Sequence, residues 1–205
     1  HFNDVDVSFD WHPGQNIEAN TQSSQAMIDF IVEFRGKAAH AAYDPWNGRS
    51  ALDGMELFLN GVNMLREHVR PSVRMHYVVQ SGGDVPNVVP EYAKLWMWVR
   101  DSKRAGAEEV FARVKEIAKG AAMMAGVEST VTIQTGDYEL LVNMKGAEAV
   151  QRNLEWLGPI QYTAEEIAFA KKVQAEAGVA QDGLDGKVST IKETKEHPEG
   201  GSTDV

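Results

Sequence analysis

The sequence predicts an α+β fold between residues 26 and 135: a four-stranded antiparallel sheet with two helices on one face. Three observations carry that expectation. Stretches of period-2 hydrophobicity alternate with stretches of helical period, and they run strand-helix-strand, then strand-helix-strand. Glycine or proline punctuates the junctions. Two such split units close most simply into a single two-layer domain of βαββαβ order.

In chain order, Ile28, Phe30, Val32 and Phe34 alternate with Asp29, Ile31, Glu33 and Arg35, as in a strand with one buried face. Ala51, Leu52, Met55, Phe58, Leu59, Val62 and Leu65 then recur at helical spacing, with Pro71 just beyond. A second strand sets Val73, Met75, Tyr77 and Val79 on one face. The Gly82-Gly83 and Pro86 turn leads to a third, in which Ala93, Leu95, Met97 and Val99 alternate with Lys94, Trp96, Trp98 and Arg100. Val110, Val114, Ile117, Ala121 and Met124 mark a second helix that stops near Gly126. Val127, Ser129, Val131, Ile133 and Thr135 make the fourth strand. Tyr92, Trp96 and Trp98 fall on the face away from the helices, which is expected to meet another domain or another copy.

Outside this region the pattern changes. Val5-Asp6-Val7-Ser8-Phe9 reads as a short strand leading to Trp11-His12-Pro13-Gly14 and a polar linker from Gln15 to Ser24. Gly146 to Leu157 and Thr163 to Ala177 read as helices, the second opened by a Thr163/Glu166 capping box, and residues 178–201 read as loop. The chain begins on His1 without an initiator Met and stops in a loop, so a piece of a longer protein is expected.

Composition narrows the function. A 43% apolar share is ordinary for a protein with a proper core, and the net charge of −10 argues against a nucleic-acid surface. Cysteine is absent, which excludes disulfides and thiolate metal sites and fits a cytoplasmic protein. No apolar stretch is long enough to span a bilayer as a helix.

Three polar side chains stand where predicted strands begin or end. His40 sits in Gly36-Lys37-Ala38-Ala39-His40-Ala41-Ala42, Asn87 in Gly82-Gly83-Asp84-Val85-Pro86-Asn87-Val88-Val89-Pro90, and Arg100 closes the third strand. An imidazole, a carboxamide and a guanidinium together suit an anionic, carboxylate-bearing substrate. Taken singly, each has a plainer reading: a loop histidine, a turn asparagine, a surface arginine. His12, after the first strand-like stretch, is placed as a metal ligand would be, yet no nearby His, Asp or Glu closes a site with it.

These stretches together resemble the M20 family of metal-dependent peptidases and amidohydrolases. The likeness rests on the His40 motif with Pro45 and Gly48-Arg49-Ser50-Ala51, and on Gly82-Gly83 through Asn87-Val88-Val89-Pro90 followed by Arg100. Asp44-Pro45-Trp46-Asn47-Gly48, Asn153-Leu154-Glu155-Trp156 and Gly201-Ser202-Thr203-Asp204-Val205 are similar to the B-type members of the family's aminobenzoyl-glutamate utilization group.

The resemblance implies a ferredoxin-like lid over residues 24–138, with residues 1–23 and 139–205 as pieces of an α/β catalytic domain on either side. It implies that the lid forms a homodimer, with a heteromeric partner subunit as a further option. His40 is then expected to reach the partner's active site and stabilise the tetrahedral oxyanion, Asn87 and Arg100 to hold the substrate carboxylate, and His12 to be a metal ligand. The implied reaction is cleavage of an amide next to a carboxylate, in aminobenzoyl-glutamate or another N-acyl amino acid. It uses two divalent ions (Zn or Mn) whose other ligands, with the general base, lie outside this sequence, so the chain alone is expected to be inactive and to bind no metal. The rival from another class is a non-catalytic module of the same topology that binds a small molecule and regulates a partner.

Overall fold

The computed structural model describes residues 3–14 and 16–191, which divide into two compact units. One unit is Ser23–Leu140; the other holds residues 3–22 and 141–191.

The first unit has β1 (Ala26–Arg35), α1 (Ala51–Leu65), β2 (Arg74–Ser81), β3 (Tyr92–Asp101), α2 (Arg104–Ala125) and β4 (Glu128–Asp137). The strands lie in the order β2-β3-β1-β4 and every neighbouring pair is antiparallel. This is the ferredoxin-like α+β arrangement. It follows from the faces: Ile28, Phe30, Val32 and Phe34 are at most 1% exposed, and so are Leu95, Met97 and Val99 opposite them. Phe58, Val62 and Met55 of α1 and Phe111, Val114 and Ala118 of α2 complete that core. Phe30 stacks on Phe111 at 4.8 Å, and Phe34 on Phe58 at 5.9 Å. Each such side chain contributes roughly 1.5–3 kcal/mol by leaving water.

The helix ends are held by different means. The Ser50 hydroxyl accepts from the Asp53 amide to open α1. Lys103, which precedes α2, offers no side-chain cap, and a carboxylate from far along the chain replaces it: Glu139 Oε2 accepts from the Arg104 amide at 2.9 Å. Burial works against that carboxylate, but the Arg104 amide and Lys103 outweigh it and lower the Glu139 pKa. The linked stability is therefore present above the ordinary carboxylate range and lost as pH falls through the lowered value. Glu139→Gln is expected to destabilise the unit by about 1 kcal/mol at neutral pH. Urea melts should show that difference vanish in acid.

Two expectations are corrected. Residues 5–9 form no strand: they are exposed, and no ladder partner runs beside them among the described residues. Alternation without a partner leaves backbone groups to water. In β2, Val73 and Met75 are buried as expected, but Tyr77 is 37% and Val79 46% exposed. The helices pack on β1, β3 and β4, so the core-side face of this edge strand stays largely uncovered.

The sheet's other face largely covers itself. The Tyr92 hydroxyl donates to Glu33 at 2.6 Å, which raises the phenol's pKa, and the Trp96 indole donates to Asp29. Trp98 packs edge-on against Trp96, with the Arg100 guanidinium 4.9 Å above its ring.

In the second unit, Ile17 bridges Val188 in parallel. Two helices follow the expected segments, α3 (Met144–Leu157) and α4 (Ala164–Glu176). The Thr163/Glu166 capping box is formed.

Candidate functional site

Both motif loops leave the same end of the sheet, where Arg35 of β1 lies opposite Tyr92 of β3. Gly36 donates to the Glu91 carbonyl, and Lys37 exchanges both backbone hydrogen bonds with Arg49, so the first loop is tied at its base. Further out, Ala41 N donates to Asn87 O and Val89 N to Ala39 O, each at 2.9 Å, and His40 pairs with Val88. His40 and Asn87 are thereby adjacent on two exposed loops.

The His40 ring is oriented by its own loop. Its Nδ1 accepts from the amides of Ala42 (3.3 Å) and Tyr43 (3.2 Å). A short 3-10 turn at Pro45–Asn47 follows, and Tyr43 and Trp46 stand 81% and 72% exposed beside it. Two large aromatic rings left bare beside an imidazole mark a surface made for contact. Asp44 anchors the turn through both oxygens, to the His40 amide and to the Asn47 carboxamide. The sequence carried a sign of this, because Asp before Pro favours turn initiation.

Arg100 is not part of that cluster within one chain. It sits at the other end of β3, opposite Met27 of β1 and Arg74 of β2. The eight residue steps from Tyr92 span roughly 27 Å. Its surroundings are basic: burial first, then the charges of Arg100, Arg66 and Arg74, lower the pKa of nearby His76.

His12 belongs to the other unit, in exposed coil. Its Nδ1 donates to the Pro13 carbonyl at 2.8 Å, so the neutral ring keeps its lone pair on Nε2, the form of imidazole that ligates metals. It fits as a single donor and no more. Among the described residues no group of three His, Cys, Asp or Glu is placed to hold an ion. Residues 201–205, part of the subgroup likeness, lie outside the described residues, as do His1 and His197. No helix among the described residues is long and apolar enough to cross a membrane.

Comparison with known proteins agrees with this architecture. The family model of the M20 peptidase dimerisation domain matches residues 23–123. One of the two subunits of the p-aminobenzoyl-glutamate hydrolase of Escherichia coli (strain K12) is 35% identical over 175 residues, 85% of this chain and 36% of that protein. The Xaa-Arg dipeptidase of Homo sapiens is 31% identical over 168 residues, 80% of this chain and 38% of that protein. The crystal structure of the aminobenzoyl-glutamate utilization protein from Klebsiella pneumoniae superposes with a TM-score of 0.56 at 23% identity, over 84% of this chain and 47% of that one, a likeness of fold. The chain thus spans little more than a third of the length of these curated relatives. Through residues 23–123, it belongs to the M20 peptidase dimerisation-domain family.

Proposed function

We propose that this chain is the lid and dimerisation part of a longer, metal-dependent amidohydrolase that hydrolyses an amide next to a carboxylate. Residues 24–138 are the lid in this reading, and residues 1–23 and 139–205 are pieces of the catalytic domain. The observation that carries it is the pairing of His40 with Asn87 on one end of the sheet, with both side chains exposed and both loops tied by backbone hydrogen bonds.

The roles follow from the groups. His40 donates from Nε2 to the scissile carbonyl oxygen as it gains negative charge, a contribution of about 10²–10³ in rate for such donors. The Asn87 carboxamide and the Arg100 guanidinium hold the substrate carboxylate. Divalent ions, Zn or Mn and two per site, supply Lewis-acid polarisation and an activated water when bound. Within this chain His12 is the one residue assigned to them, and the remaining ligands and the general base are assigned to the rest of the protein.

Arg100 joins the other two through a homodimer. β2 is an edge strand whose Tyr77, Val78 and Val79 are exposed, with neither Lys nor Pro between Met75 and Gln80 to discourage pairing. Two lids pairing antiparallel along β2 about a two-fold axis turn one subunit's His40–Asn87 end towards the other's Arg100. The substrate class comes from the relatives' names: p-aminobenzoyl-glutamate and Xaa-Arg dipeptides are both N-acyl amino acids. A further, different subunit is a second possible partner, since the Escherichia coli hydrolase is named as two distinct subunits and both are similar to this chain. The setting is cytoplasmic, with no nucleic acid or membrane engaged.

Asn87→Ala in the longer protein is expected to raise KM about tenfold for an N-acyl amino acid, with kcat little changed, as for loss of a hydrogen bond to a charged group. An unchanged KM overturns the carboxylate-holding role. A longer protein that binds no divalent ion and hydrolyses no such amide would instead be a regulatory, small-molecule-binding module.

A further inference from the structure

We propose that Asp44 is a positioning residue that fixes His40 as a hydrogen-bond donor at Nε2 and so bars it from acting as a general base. The proposal rests on the reading of His40 given above, but its first test needs no catalysis.

Two backbone amides, those of Ala42 and Tyr43, point at His40 Nδ1 from 3.3 and 3.2 Å. A backbone N–H only donates, so Nδ1 must present its lone pair, and the neutral ring then carries its proton on Nε2. At that nitrogen the side chain can give a hydrogen bond to developing negative charge. It has no lone pair there with which to take a proton from water.

What brings those amides under the ring is the turn from residue 40 to residue 44, and Asp44 closes it twice. Its own amide and that of Tyr43 donate to the His40 carbonyl at 3.1 and 3.3 Å. Its Oδ1 accepts from the His40 amide at 3.2 Å, while Oδ2 accepts from Asn47 Nδ2, also at 3.2 Å. The carboxylate thus holds the amide of His40 rather than its imidazole, and acts on the ring through the backbone. Without it the loop keeps the Lys37–Arg49 bridge at its base, but the residue 40–44 turn loses its side-chain closure.

The test is the tautomer of His40, read from imidazole ¹⁵N chemical shifts and two-bond couplings in the 205-residue chain at a pH where the ring is neutral. The His40 signals are identified by their loss in His40→Gln. Nε2–H is expected to dominate in the wild type, and Asp44→Ala to raise the minor Nδ1–H form about tenfold, the scale of one or two lost amide hydrogen bonds. Asp44→Asn, whose side-chain carbonyl can still accept from the His40 amide, should restore most of the preference. Asn47→Ala, which removes only the Oδ2 contact, should shift it part of the way and carries the test if Asp44→Ala disturbs the amide spectrum of β1 or α1. An Nδ1–H ring in the wild type, or unchanged populations in Asp44→Ala and Asn47→Ala with the sheet spectrum intact, overturns the proposal. In the longer protein Asp44→Ala should lower kcat with KM unchanged. A clean tautomer shift without any effect on kcat would leave Asp44 as the positioning group and remove His40 from the reaction.

Discussion

Mixing His40→Ala with Arg100→Ala forms of the longer protein is expected to restore activity that neither variant has alone. Along β3, Arg100 stands roughly 27 Å from the strand end that carries His40 and Asn87, too far for one substrate to touch all three. Antiparallel pairing of two β2 edges puts Arg100 of one subunit at the same end of the joined sheet as His40 and Asn87 of the other. Each variant alone spoils both composite sites, with losses of about 10²–10³ for the imidazole and at least about tenfold for the guanidinium. In a mixed dimer, one site draws Arg100 from the first subunit and His40 from the second, and is whole. Random exchange makes half the dimers mixed, with one working site of two, so about a quarter of wild-type activity should return. The matched control is His40→Ala mixed with Asn87→Ala. Those two residues sit on one subunit's paired loops, so no combination repairs a site and activity should stay at background. Recovery in the control, or none in the first mixture while both variants remain dimeric, would show that the three groups do not form one shared site.

The second large effect is on stability. A Cβ on Gly36 would lie 2.0 Å from the Arg49 carbonyl oxygen and 3.0 Å from the Ala51 nitrogen. Both are backbone atoms, one in the bridge that ties the His40 loop and the other in the first residue of α1, and neither can swing aside as a side chain would. Gly36→Ala is therefore expected to cost about 3 kcal/mol, at the upper end for overpacking, and to loosen residues 36–50 together with His40. Denaturant melts and hydrogen exchange of the loop amides would measure both. Gly120→Ala provides the contrast: nothing lies within 4 Å of its added Cβ in the interior of α2. It should stabilise by roughly 0.5–1 kcal/mol through lower chain entropy. If the two substitutions behaved alike, close backbone approach at Gly36 would not be what demands glycine there.

Much of this was legible in the residues because hydrophobic period reports which face of an element is buried. The buried set on β1 and β3 is the set the alternation marks, and the helix stripes from Ala51 to Leu65 and from Val110 to Ala121 meet it. The pattern failed where burial depends on a neighbour rather than on the element. Tyr77 and Val79 keep strand alternation, yet the helices pack on the other three strands, and Val5 to Phe9 alternate without any strand to pair with. The aromatic face misled in a different way. Tyr92, Trp96 and Trp98 looked uncovered, but Glu33, Asp29 and Arg100 take up much of their exposed surface.

The three candidate site residues divide along the same line. Their identities and the motifs around them stand in the sequence, as does the order of strands and helices, because local pattern and turn chemistry act over a few residues. That His40 and Asn87 meet while Arg100 lies at the opposite end is decided by sheet register. Register fixes distances between segments that are far apart in the chain, and no local pattern carries that information. The proton on the imidazole is likewise a tertiary outcome, since it depends on where two loop amides point once Asp44 has closed the turn.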